Sequence, residues 1–228
     1  MISERMMLMK RNKKLIIAGI SGLLFALLIA LVRLIDVQAI GPEGTQIGLS
    51  DLNRFVFKTL GVHMLWYEIT DWLGVVAIGT ALLFAMVGLA QWVKRKSIWK
   101  VDRAILALGG LYLIVIGLYV LFELLIVNYR PIIMPGSIHP EASFPSSHTM
   151  LVCVILGSAI PLLGKYVKSK VLCKTLRIIC AAIIAITVIG RLISGVHWFT
   201  DILGGILISV MLLKLYAAIL ERIENNND

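Results

Sequence analysis

The chain has 228 residues, 59% of them hydrophobic and 15% charged, with a mean hydropathy of +0.93 and a formal net charge of +9. That composition excludes an ordinary soluble domain. The charge does not imply nucleic acid, because the basic residues form short clusters beside apolar runs, where topology and anionic lipid headgroups account for them.

Apolar runs occur at Leu15 to Val32, Trp72 to Val93, Ala104 to Phe122 and Thr149 to Gly164, each near the length that crosses hydrocarbon. Two shorter runs, Ile178 to Gly190 and Ile202 to Leu213, reach spanning length by extending past Arg191 toward Gly195 and past Lys214 toward Leu220. The expected architecture is all-α, a six-helix transmembrane bundle with spans at about 14–35, 70–93, 104–127, 147–164, 175–195 and 200–220. The longest stretch outside the spans runs from about Asp36 to Asp71. Its "IGPEGTQIG" part reads as turn, and Ser50 is placed to cap a short interfacial helix with Leu52, Phe55, Val56 and Leu60 on one face.

Lys and Arg set the orientation. Five precede the first span (Arg5, Lys10, Arg11, Lys13, Lys14), five follow the second (Lys94, Arg95, Lys96, Lys100, Arg103), and five follow the fourth (Lys165, Lys168, Lys170, Lys174, Arg177). With Lys214 and Arg222 that makes 17 on one side against five on the other (Arg33, Arg54, Lys58, Arg130, Arg191). Both termini are therefore expected in the cytoplasm of a multi-pass cell-membrane protein. No linker or repeat divides the chain, so residues 1–228 read as one domain. Cys153, Cys173 and Cys180 suggest neither a disulfide framework nor a metal site. The first apolar run lacks a small-residue cleavage pattern and reads as a retained span.

Ionisable groups at membrane depth are costly and mark function. Here Glu123, Arg130, His148, Arg191, His197 and Asp201 all fall at the outer ends of the third to sixth spans. If the segment from His197 onward is helical, Asp201, four residues later, can accept from one imidazole nitrogen and leave the other as a nucleophile. Two arginines offer planar forks suited to phosphate oxygens. In "FPSSHTMLV", residues 144–152, Pro145 and the serines mark a helix start, where free N–H groups and the macrodipole favour an anion. Ser146 and Ser147 add hydroxyl donors, and His148 is placed to act on a leaving group.

Three motifs, "ELLIVNYRP" (Glu123 to Pro131), "PSSH" (Pro145 to His148) and "GRLISGVHWFTD" (Gly190 to Asp201), resemble in order and spacing the signature of the type 2 phosphatidic acid phosphatase superfamily. These membrane lipid phosphatases are related in active site to vanadium haloperoxidases. The resemblance implies a metal-independent hydrolase without cofactor. His197 would form a phosphohistidine, Asp201 would orient it and His148 would act as general acid, with Arg130, Arg191, Ser146 and Ser147 binding phosphate. The substrate would be a lipid phosphate or pyrophosphate at the outer leaflet, such as phosphatidic acid, phosphatidylglycerophosphate or undecaprenyl pyrophosphate. Membrane lipids are the other partners, and no oligomeric state is implied.

The chain departs from the signature in three places. Ser147 stands for a glycine, Gly190 for a serine and Glu123 for the phosphate-binding lysine. The last swap changes the charge by two units, about 6 kcal/mol at about 5 Å and an effective dielectric near 20. Glu123 is therefore expected to be protonated or paired with an arginine, orienting Arg130 or meeting a substrate hydroxyl, with Arg54 or Lys58 as replacement charge. Two other activities fit the same motifs: a lipid phosphotransferase, and a non-catalytic lipid-binding scaffold. A transporter does not fit, since the polar residues gather at one face instead of tracing a path.

Overall fold

The computed structural model describes residues 2–225, with side chains from 9 to 224. The Arg5 side chain of the first basic cluster lies outside the described residues. The elements are α1 (Ile2–Leu34), β1 (Gln38–Ala39), β2 (Gln46–Ile47), α2 (Ser50–Leu60), α3 (Met64–Arg95), α4 (Arg103–Leu124), α5 (Ser147–Tyr166), α6 (Lys170–Ile193) and α7 (Phe199–Asn225). Six helices are long and apolar enough to span: Met9–Leu34, Met64–Arg95, Arg103–Leu124, Ser147–Tyr166, Lys170–Ile193 and Phe199–Glu224.

The expected six-helix bundle is the observed one, with shifted boundaries. α3 begins six residues before the expected start at 70, so Asp71 lies well within the helix and not at its edge. α4 stops at Leu124 instead of 127, because Leu125 leaves helical geometry. α6 starts at Lys170, capped by the Ser169 hydroxyl, which accepts from the Leu172 N–H at 3.3 Å. Charged first turns of this kind hide from a hydropathy scan, which sees only the apolar middle.

α5 and α7 form the centre. Within their apolar stretches 56% and 44% of residues are buried, against 17–28% for the other four spans. α7 packs along α1 and across α5, and α5 in turn packs on α6 and α3. Phe25, Phe122 and Phe144 meet with ring centroids 5.8–6.2 Å apart, joining α1, α4 and the segment before α5. Lys14 of α1 pairs with Glu221 of α7 at 2.5 Å, so the two termini lie at one end of the bundle. The basic clusters gather there too. At that end Asp102 ties α4 to α5, accepting from Lys165 at 2.7 Å and from the Tyr166 hydroxyl at 2.9 Å.

At the opposite end the segment between α1 and α3 folds over the bundle. Its turn sequence closes a small antiparallel hairpin, Gln38 opposite Ile47 and Ala39 opposite Gln46. The short helix is present as α2, but Ser50 does not cap it. Asp36 does, accepting from the Asp51 N–H at 2.7 Å and the Ser50 hydroxyl at 2.8 Å, and these bonds hold its carboxyl below the usual range. The packed face also differs from the apolar stripe. Leu52 and Phe55 are exposed, while Asn53 is fully buried. Its amide donates to the Gly48 carbonyl at 2.9 Å and the Thr200 hydroxyl at 3.1 Å, and its oxygen accepts from the Thr200 N–H at 3.2 Å. α2 thus clamps the first turn of α7. Asn53→Leu leaves these partners buried and unsatisfied, so stability is expected to fall by about 1–3 kcal/mol, read as a lower thermal midpoint in detergent.

Candidate active site

The end opposite the termini is built by the C-terminus of α6, the first turns of α5 and α7, the middle of the first half of α3, and a strap from 125 to 146. Arg191 sits near the end of α6 with no solvent exposure. Its Nη2 donates to the Asp71 carboxylate of α3, and its guanidinium lies over the Tyr67 ring, 4.8 Å from the centroid. Its Nε and Nη1 are buried without partners. Gly190 explains one departure from the signature. A Cβ there would stand 2.6 Å from Thr70 and 3.0 Å from the Trp66 ring, so the small residue lets α6 lie against α3 beside the Arg191–Asp71 pair.

The turn into α7 depends on Gly195, at φ +70 and with room for no side chain against the Gly61 carbonyl. His197 follows in that turn, and the helix starts at Phe199, so the condition that the segment be helical from His197 onward is not met. Arg130 Nη1 donates to His197 Nε2 at 3.4 Å and to the Val196 carbonyl at 3.3 Å. Since guanidinium can only donate, Nε2 carries the lone pair and Nδ1 the proton. Nδ1 faces Asp201 Oδ2 at 3.6 Å. This is electrostatic contact and longer than a hydrogen bond; Oδ2 instead accepts from the Trp198 N–H at 2.9 Å, fixing the turn. Burial first, and then the charges of Arg130 and Arg191, hold the His197 imidazole well below its usual pKa. Its ring is therefore neutral near pH 7.

Arg130 comes from the strap and not from a helix, because α4 ends at Leu124. The strap is pinned by the Arg130 N–H to the Glu141 carbonyl (2.9 Å), the Ser143 N–H to the Asn128 carbonyl (3.0 Å) and the Trp198 indole N–H to the Tyr129 carbonyl (2.7 Å). Arg130 Nε also lies 3.1 Å from the Glu141 carboxylate, which is braced by the Ser137 hydroxyl. The partner expected for Arg130 was Glu123; the structure supplies Glu141. Glu123 is exposed at the end of α4 and makes no ion pair among the described residues. Arg54 donates to Gln38 at 2.9 Å and Lys58 is exposed, and neither lines the cavity or the cleft beside His197 and His148.

His148 occupies the first turn of α5, its Nε2 2.9 Å from the same Asp71 oxygen that Arg191 engages. Ser146 is buried as the cap of α5, accepting from the Thr149 N–H at 3.4 Å, while its own N–H donates to the Asp201 carbonyl at 3.0 Å. Ser147 faces open space. A cavity of about 20 Å³, room for about one water, is lined by Ser147, Arg130, His197 and Glu123. Beside it an open cleft of about 730 Å³ runs between α3, α4 and α5, with Trp72, Val75, Ile78 and Leu151 as apolar walls and Asp71, His148, Arg130 and Glu123 among its polar lining. Among the described residues no group of three His, Cys, Asp or Glu is placed to hold a metal ion.

The structure therefore brings together His197, Asp201, His148, Arg130, Arg191 and Ser147, with Ser146 one layer behind and Glu123 on the rim. Sequence reasoning missed Asp71 and Glu141. Asp71 carried a signal, since it is a carboxylate adjoining an apolar run, but placing the span start at 70 made it a boundary residue. Glu141 lies in an irregular polar loop and gave none. Asp71→Leu strands a buried guanidinium, with an expected loss of about 1–3 kcal/mol after allowing for Asp71's partial exposure. The double variant Asp71→Leu/Arg191→Leu is expected to recover part of that loss, and a thermal double-mutant cycle measures the coupling.

The family model of the PAP2 superfamily matches residues 124–224. The crystal structure of a transmembrane PAP2 type phosphatidylglycerolphosphate phosphatase from Bacillus subtilis aligns with a TM-score of 0.60 and 22% identity, covering 90% of this chain and 96% of that one. No curated protein matches the chain. The matched region contains every motif residue from Arg130 to Asp201 and begins one residue after Glu123; Asp71 lies outside it. The chain has the fold of that transmembrane PAP2-type structure, and its residues 124–224 match the PAP2 superfamily model.

Proposed function

We propose that this chain, acting as one domain over residues 1–228, is a metal-independent lipid phosphatase that hydrolyses a lipid phosphomonoester or diphosphate through a phosphohistidine. The observation that carries this is the neutral, buried His197, whose Nε2 lone pair lies beside Arg130 while Arg191 keeps two buried donors without partners. A phosphoryl group between these three would find a nucleophile and two charged forks in a water-poor site.

In the first step His197 Nε2 attacks phosphorus, the bond to the lipid oxygen breaks, and His148 gives that oxygen its proton. Water then attacks the phosphohistidine, His148 takes the water's proton, and inorganic phosphate leaves. Arg130, Arg191, Ser147 and the N-terminus of α5, shaped by its Ser146 cap, hold the phosphoryl oxygens. Asp201 stabilises the Nδ1–H tautomer of His197. Asp71 anchors His148 and Arg191 in register. The apolar walls of the open cleft suit an acyl or prenyl chain arriving from the bilayer. Phosphatidylglycerophosphate, phosphatidic acid and undecaprenyl pyrophosphate are the candidate substrates, the first being the one named for the aligned crystal structure. Glu123, exposed on the cleft rim, meets hydrogen-bond donors of the head group rather than phosphate. The excess of basic residues at the terminus end supports a cytoplasmic location for the termini and an outward-facing site.

Purified protein is expected to release phosphate from these lipids in the presence of a chelator, with His197→Ala lowering turnover at least about 1000-fold. Retained turnover in that variant would sink the phosphohistidine. Because the His197 pKa is depressed, its reactive neutral form persists as pH falls through the ordinary histidine value of about 6.5. Phosphoenzyme formation in rapid-quench experiments is expected to continue below pH 6. Glu123→Gln is expected to change KM among head groups by about 3- to 30-fold with little change in kcat, as for loss of one head-group contact.

A further inference from the structure

At the terminus end of the bundle, residues of α1, α4 and α7 line an open groove of about 870 Å³. Leu111 and Leu212 form its buried floor, while Leu15, Ile114 and Ile219 stand exposed on its walls. Gly110 widens it, since a side chain there would meet nothing within 4 Å. The volume is that of a small-molecule site, within about 300–1,000 Å³. Two guanidiniums, Arg11 of α1 and Arg222 of α7, also line it.

We propose that this groove binds an anionic phospholipid of the bilayer leaflet on the side of the termini, with an acyl chain along the floor and the phosphate between Arg11 and Arg222. In a chain with six spanning helices an exposed apolar groove faces lipid tails, and the arginines select what lies above the tail. Each offers a planar fork matched to phosphate oxygens, at the depth where headgroups sit. Lys14 beside them is already neutralised by Glu221 at 2.5 Å, and among the described residues neither Arg11 nor Arg222 has a carboxylate partner. Counted over the described residues, the mouth thus keeps both guanidinium charges for a ligand. A zwitterionic head group brings a cation of its own and gains less.

This lipid is not a substrate in transit. Arg222 lies 21 residues after Asp201 on one helix, about 30 Å along its axis. Its phosphate cannot reach His197, so the bound lipid acts by holding α1 and α4 against α7. The proposal is independent of the catalytic reading.

Thermal unfolding of the full chain in nanodiscs of phosphatidylserine or of phosphatidylcholine tests it. The wild-type midpoint is expected to be higher in phosphatidylserine by about 4–8 °C. The difference is expected to vanish in Arg11→Gln/Arg222→Gln, and in Gly110→Leu, which fills the groove with both arginines kept. It is expected to persist in Lys168→Gln/Lys174→Gln, which removes basic charge at the same end but outside the groove. Matching midpoints in phosphatidylcholine verify that each variant folds. The proposal is overturned by no difference in the wild type, by survival of the difference in either groove variant, or by its equal loss in the lysine variant, which would mark unspecific surface attraction.

Discussion

A guanidinium shielded from solvent needs a counter-charge, and Arg191 finds it in Asp71. The pair ties the end of α6 to α3, and the same carboxylate holds His148 on α5. Three helices are thereby locked at one level of the membrane by one aspartate. The remaining donors of Arg191 can stay free for a ligand because a single interaction has already fixed its position. Gly190 is the steric counterpart, letting α6 come close enough for the pair to form.

A second set of contacts fixes Arg130 and His197. Arg130 has no helix to place it, so backbone pairing across the strap and the carboxylate of Glu141 do so. Trp198 ties that strap to the turn before α7, while Asp201 accepts from the Trp198 N–H in the same turn. Asp201 thus shapes the loop that carries His197 as much as it faces the imidazole. Asn53 of α2 secures the next residue, Thr200, from outside. The nucleophile candidate is therefore held by polar bonds from three directions, in a place where hydrophobic packing alone would not specify a ring orientation.

Glu123 is exposed at the end of α4, lines the small cavity with Arg130 and His197, and makes no ion pair among the described residues. A carboxylate that keeps its solvent is screened, so its charge weighs less on the arginines than the same charge buried would. The open cleft carries Glu68, Asp71, Glu123 and Glu141 beside Arg130 and His148 in its lining. The two ends of the molecule then differ in kind. One gathers buried, paired charges around His197, and the other displays solvated lysines and arginines beside an apolar groove.

Much was legible in the chain itself. Apolar length marked six spans, because a bilayer rewards runs of a fixed size. Charges at membrane depth marked His148, Arg191, His197 and Asp201, because such groups are retained only where they find a use. Local spacing also located the helix start at Ser146. It misplaced what depends on partners distant in sequence. Asp71 and Arg191 are 120 positions apart, and Asn53 and Thr200 are 147. No periodicity signals such pairs. Whether Ser50 or Asp36 caps α2, whether Glu123 or Glu141 meets Arg130, and what the small residue at Gly190 allows were decided only when the helices came together. Sequence by itself determined the membrane class, the helix count and the chemical inventory of one end of the bundle. The tertiary structure decided which charge answers which, because electrostatic partnership depends on distance in space.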